Sequence, residues 1–124
     1  MQKRPSNKEI FNKVRDGLEF VCAKQRAFAL SKHLSADLDA LGLISENEYW
    51  QLIETLLHEI LKAGAVECYS GGKPPQRSYE NGIQNCELWA YTWESPSLQK
   101  RMYIKFVLKN ERYHHVNCHE STED

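Results

Sequence analysis

Apolar residues recur at three- and four-residue steps through the first half of the chain and at two-residue steps through much of the second. Ile10, Phe11, Val14 and Leu18 fall on one helical face. Ahead of them "SNKE" (Ser6 to Glu9) has the form of a capping box, in which Ser6 accepts from first-turn amides and Glu9 reaches back. A second helix is predicted over about Phe28 to Leu41, with Leu30, Leu34, Leu38 and Leu41 as its stripe. Gly42 can take the left-handed conformation that ends it. The third pattern is the longest: "SENE" (Ser45 to Glu48) is another capping box, Tyr49, Leu52, Ile53, Leu56, Leu57, Ile60 and Leu61 follow, and Gly64 stands just past the end.

After Gly64 the period changes. "AVECYS" reads as a short strand, and "NCELWAYTW", "RMYIKFVLK" and "RYHHVNCHE" as longer ones rich in aromatic and β-branched residues. Helices followed by strands predict an α+β fold: three N-terminal helices packed on one face of a C-terminal antiparallel β-sheet of three to four strands. A chain of 124 residues is expected to form a single domain over 1–124. The other sheet face is left at least partly open. Gly71 to Asn85, "GGKPPQRSYENGIQN", reads as a long loop, and loops of this length are often functional. It carries Lys73 and Arg77, either of which is suited to a phosphate; a mobile surface loop with two solvated cations is the plainer alternative.

Alternation assigns the faces. Met102, Ile104, Phe106 and Leu108 form the core side of their strand, with Tyr103, Lys105, Val107 and Lys109 opposite. In the last strand Val116 and Cys118 fit the core, His114 its edge, and Tyr113, His115, Asn117 and His119 the open face. A two-residue turn pairing Lys109 with Arg112 breaks this parity, whereas a three-residue loop of Asn110, Glu111 and Arg112 satisfies it and sets Tyr103 opposite His119. A five-residue loop sets His119 opposite Lys105 instead. Trp89, Tyr91 and Trp93 share a face, either as core or as a stacking platform for bases, and mixed burial is expected.

Composition narrows the classes. Hydrophobic residues make up 41% and charged residues 27%, within the range of soluble globular domains. No apolar run approaches the ~20 residues of a membrane helix, and "MQKRPSNKE" lacks a secretory apolar region, so the expected location is the cytoplasm. Cys22, Cys68, Cys86 and Cys118 form no CxxC pair and are expected as free thiols. Net charge is −1, with a basic surplus in residues 1–29 and an acidic one in residues 30–70, which excludes a chain-wide polyanion surface and leaves room for a local basic site.

"RYHHVNCHES" (Arg112 to Ser121) concentrates three histidines and a cysteine. His115 and His119 are four apart, which on a strand separates them by about 13 Å. Zinc requires each ligand atom within roughly 2 Å. Cys118 points away from His119, so the strand alone does not build a metal site and no metal or cofactor is expected.

The order of elements, a helix ending in "LGL" (Leu41 to Leu43), the Trp strand, "MYIK" (Met102 to Lys105) and the terminal "CHES" together resemble the MqsR-type mRNA interferase toxins of the wider RelE/ParE-like group of bacterial type II toxins, over about Lys8 to Ser121. The resemblance implies a cytoplasmic, metal-independent endoribonuclease acting on single-stranded RNA and held inactive by a cognate antitoxin protein. It implies a site on the open sheet face, with the strand tyrosine at Tyr103 and the C-terminal basic residue at His119. Ala90 stands where a glutamine usually follows the strand Trp, and Lys73 is the nearest match to a further lysine.

The expected chemistry is attack of a ribose 2′-OH on the adjacent phosphorus. Histidine suits proton transfer near neutrality. His119 is the expected base or acid, Tyr103 its partner in positioning the phosphate or sharing the proton transfer, and Lys105 the cation at the developing charge, with Lys73 and Arg77 in support. Trp89 and His115 are further substrate-binding candidates. The alternative from another class is a non-catalytic protein-binding module using the open face.

Overall fold

The computed structural model describes residues 4–29, 34–80 and 82–121. Among them the order of elements is α1 (Asn7–Cys22), β1 (Arg26–Phe28), α2 (Leu34–Leu41), α3 (Glu46–Ala63), α4 (Ala65–Cys68), β2 (Trp89–Ser95), β3 (Lys100–Lys109) and β4 (Arg112–Glu120). The fold is α+β, as the periodicity predicts, with four helices where three are expected. The sheet order is β1-β4-β3-β2. It is mixed, not purely antiparallel, because β1 runs parallel to β4.

The serine half of each capping box forms, while Glu48 reaches back one residue further than expected, accepting from the Ile44 amide at 3.1 Å. Ser6 Oγ accepts from the Glu9 amide at 3.1 Å and Ser45 Oγ from the Glu48 amide at 3.2 Å. These bonds satisfy amides that the first helical turn leaves without partners. Gly64 ends α3 at φ 103°, a left-handed conformation that glycine tolerates best. The apolar stripe of α3 is sealed: Tyr49, Trp50, Ile53, Leu56, Leu57 and Ile60 are buried, each contributing about 1.5–3 kcal/mol. Ile10, Val14, Leu18 and Val21 of α1 complete the helical layer. Buried Gly17 lets α1 approach β4, since a Cβ there would sit 3.3 Å from the Tyr113 ring.

Two local predictions are corrected. "AVECYS" supplies one helical turn, α4, followed by Tyr69 and Ser70, which reach β2 through an isolated bridge from Tyr69 to Tyr91 and a hydrogen bond from the Ser70 amide to the Ala90 carbonyl at 2.9 Å. Phe28 belongs to β1, and the second helix runs from Leu34; Leu30 of its expected stripe lies outside the described residues, while Leu38 and Leu41 pack on the core.

The larger correction concerns β4. Its turn is the two-residue one: Lys109 pairs with Arg112, and Asn110 and Glu111 have φ of 55° and 56°, as a type I′ hairpin turn requires. The parity conflict is resolved by a bulge. Phe106 pairs with His115 and Lys105 with Asn117, so Val116 is an extra residue. Before the bulge Tyr113 and His115 face the core; after it Cys118 faces the core and Asn117 and His119 the other side. Val116 lies buried with Val107 and Ile83 in a small second core beneath the 71–88 segment. That segment therefore covers one end of the face expected to be open, and leaves the end carrying Tyr103 and His119 accessible.

Candidate functional site

The accessible end of the sheet gathers polar side chains from three adjacent strands. On β3 and β4, Tyr103 lies opposite His119 and Lys105 opposite Asn117. On β2, Thr92 lies opposite Tyr103 and Ala90 opposite Lys105. The Tyr103 and His119 rings stack, with centroids 5.1 Å apart and planes at 24°. Thr92 Oγ1 donates to Ser70 Oγ at 2.9 Å, joining the chain after α4 to this surface. Ser70, Thr92, Tyr103, Lys105, Asn117, His119 and Ser121 line a depression of about 320 Å³.

The hydrogen bonding of His119 fixes its tautomer. Nδ1 lies 3.0 Å from the Glu120 carbonyl oxygen, which can only accept, so Nδ1 carries the proton. In the neutral ring Nε2 is then the bare nitrogen, ready to take a proton. Among the described residues no carboxylate pairs with Lys105, so its ammonium is available to an anion. Asn117 Oδ1 is buried beside it without a hydrogen-bond partner.

Two further depressions adjoin the first and share Lys105. One, of about 190 Å³, includes Gly72, Gln76, Ala90 and Tyr103. The other, of about 270 Å³, includes Arg77, Tyr79, Glu80 and Asn117. Lys105 thus stands at the junction of a continuous trough between the 71–88 segment and the outer halves of β3 and β4.

No family model matches the chain, and no curated protein or solved structure does.

The remaining predicted residues are dispersed. Arg77 borders the trough and donates through Nη1 to the Asn85 carbonyl at 2.8 Å. Lys73 is exposed and lines none of the three depressions. Trp89 is in the core with Tyr91 and Trp93, so the expected mixed burial gives way to three buried rings. The Lys13 ammonium lies over the Trp89 ring at 5.3 Å. His115 is also in the core, 2% exposed, because the bulge reverses its expected face.

His115 forms part of a polar chain inside the apolar layer. Tyr49 Oη donates to Asp37 Oδ2 at 3.1 Å and lies 2.8 Å from His115 Nε2. With the Tyr49 proton committed to Asp37, Nε2–H donates to Tyr49. Nδ1 then accepts from Tyr113 Oη at 3.2 Å. Neutral His115 is fully satisfied by this arrangement, and burial pushes its pKa down to about 3. The sheet thus separates His115 from His119, and among the described residues no group of three or more His, Cys, Asp or Glu is placed to hold a metal ion. Cys118, likewise on the core side, has its thiol pushed up by burial.

Gln76, Ser70, Thr92 and Asn117 join the site without being predicted from the sequence. Asn117 was legible through its pairing with Lys105. The other three arrive through tertiary packing that no local pattern encodes.

Proposed function

We propose that the trough is the active site of an endoribonuclease that cleaves single-stranded RNA by 2′-OH attack. The observation that carries this reading is the direct pairing of Tyr103 with His119, two residues along the strand from Lys105 on the same face, inside one polar depression. His119 Nε2 takes the 2′-OH proton as the 2′-oxygen bonds to phosphorus. The P–O5′ bond breaks, and the 5′-oxygen leaves with a proton passed through Tyr103 or solvent, giving a 2′,3′-cyclic phosphate and a 5′-hydroxyl. The Lys105 ammonium neutralises charge developing on the phosphoryl oxygens. Gln76 offers from the loop the amide that the toxin resemblance would put at Ala90, and Arg77 borders the path of the strand.

The same resemblance makes the protein a cytoplasmic, metal-independent mRNA interferase with a cognate antitoxin as partner. A trough lined by hydroxyls, amides, Lys105 and Arg77, with Glu80 as its one carboxylate among the described residues, fits a phosphodiester better than the apolar centre of a protein interface. No helix among the described residues is long and apolar enough to cross a membrane.

The test is cleavage of mixed-sequence single-stranded RNA by purified protein in EDTA, with His119→Ala as control. Cleavage yielding cyclic-phosphate ends, reduced about 10²–10⁴-fold in the variant, supports the reading. Absence of both cleavage and growth inhibition on expression would sink it, and loss of cleavage in EDTA alone would redirect it to a metal.

A further inference from the structure

Tyr79 is 93% exposed, yet the backbone beneath it is firmly held. The Ser78 amide donates to Cys86 O at 2.9 Å and the Asn85 amide to Ser78 O at 2.8 Å. Ser78 itself is buried, its Oγ accepts from the Glu80 amide at 3.0 Å, and the backbones at Arg77 and Glu87 form an isolated antiparallel β-bridge. Ile83 anchors the same segment in the second core, and Lys109 Nζ donates to Gly82 O at 2.7 Å. A phenol ring is therefore presented to water on a braced scaffold, at the rim of the depression that also holds Lys105 and Asn117.

We propose that Tyr79 is a stacking platform for a nucleobase, and that the depression beside it is the subsite for a nucleotide flanking the phosphate at Lys105. This rests on the nucleic-acid reading of the trough given above. Base–aromatic stacking is tolerant of base identity, and an exposed ring whose backbone is already ordered incurs little further ordering cost on binding. The depression at its rim is also lined by Arg77, Glu80, Lys105 and Asn117, whose cations suit a phosphate and whose amide and carboxylate suit the polar edges of a base. Among the described residues the other exposed large apolar side chains, Phe11 and Ile44, lie on α1 and before α3, so Tyr79 joins no contiguous apolar patch with them that would favour a protein partner.

The experiment compares the parent protein, Tyr79→Ala and Tyr79→Phe. The probe is a short 2′-O-methylated single-stranded RNA, which lacks the attacking hydroxyl, carrying 2-aminopurine. Fluorescence anisotropy gives affinity, and 2-aminopurine quenching reports stacking. Tyr79→Ala is expected to bind about ten-fold or more weakly and to lose the quenching, while Tyr79→Phe matches the parent. Melting temperatures should be equal, because the side chain buries almost nothing. Equal affinity and quenching in the alanine variant overturns the subsite and leaves the nuclease reading standing if unmethylated RNA is still cut. Tyr79-dependent binding without cleavage of unmethylated RNA keeps the subsite and removes the nuclease. A parent that binds no oligonucleotide overturns both, and a Tyr79→Ala defect confined to a co-purifying protein reassigns the ring to protein docking.

Discussion

His115 and His119 stand four residues apart on one strand and occupy opposite worlds. His115 is sealed between α3 and the sheet, satisfied by Tyr49 and Tyr113 and held neutral. His119 is exposed, stacked on Tyr103, with Nδ1 held on the Glu120 carbonyl. A regular strand puts positions four apart on the same face. Val116, the residue inserted between them, sends one imidazole into the core and the other to the trough. The role of each is thus set by local backbone irregularity more than by residue type.

The widest gap between the two should appear on exchanging each for alanine. His119→Ala is expected to lower RNA cleavage about 10²–10⁴-fold with stability unchanged within about 0.5 kcal/mol. His115→Ala is expected to cost about 3–5 kcal/mol in denaturant unfolding, through the lost ring and the buried Tyr113 hydroxyl left without its acceptor. Similar effects of both substitutions on both readouts would erase the comparison.

Acid should reveal the same contrast. The folded pKa of His115 lies below the ordinary value of 6.5, so as pH falls from about 6.5 toward 3 the unfolded chain binds a proton that the folded one refuses. Stability is expected to decline across that window by at most about 5 kcal/mol. His115→Gln should lack this component of the slope; an unchanged slope would assign the acid sensitivity elsewhere.

Deleting Val116 sharpens the geometric claim. The pairs Phe106–His115 and Lys105–Asn117 survive in a regular ladder, so cleavage should persist while stability falls by about 1–3 kcal/mol for the lost valine burial. Cleavage lost from a variant that still folds would show that the bulge also shapes the trough. The smallest effect belongs to the turn. Glu111 adopts φ 56°, and Glu111→Gly creates the Asn-Gly pair that type I′ turns favour, with an expected gain of about 0.5–1 kcal/mol in unfolding free energy.

The elements legible in the sequence were those written locally. α1 and α3 carry their own caps and stripes, and the β3 alternation holds through Met102, Ile104 and Phe106. Tyr103 opposite His119 also stands, though reached through a three-residue turn that the chain does not use. The parity rule presumes an unbroken ladder, and nothing in "HHVNC" marks Val116 as the extra residue. β1 escaped notice because three residues carry no usable period and its partner lies far along the chain. The 71–88 segment reads as irregular and mostly is, but Ser78 and Ile83 anchor it in ways that depend on Val107 and Val116.

The strand order has a consequence in time. β4 sits between β1 and β3, yet among the described residues it follows every other element. Synthesis runs from the N-terminus, so β1 waits without a sheet partner until the last strand emerges. His119 lies near the end of that strand, and the closing of the sheet and the arrival of the imidazole are nearly one event. A nascent chain stalled before β4 carries helices and a hairpin, but neither a completed scaffold nor the group that would move the proton.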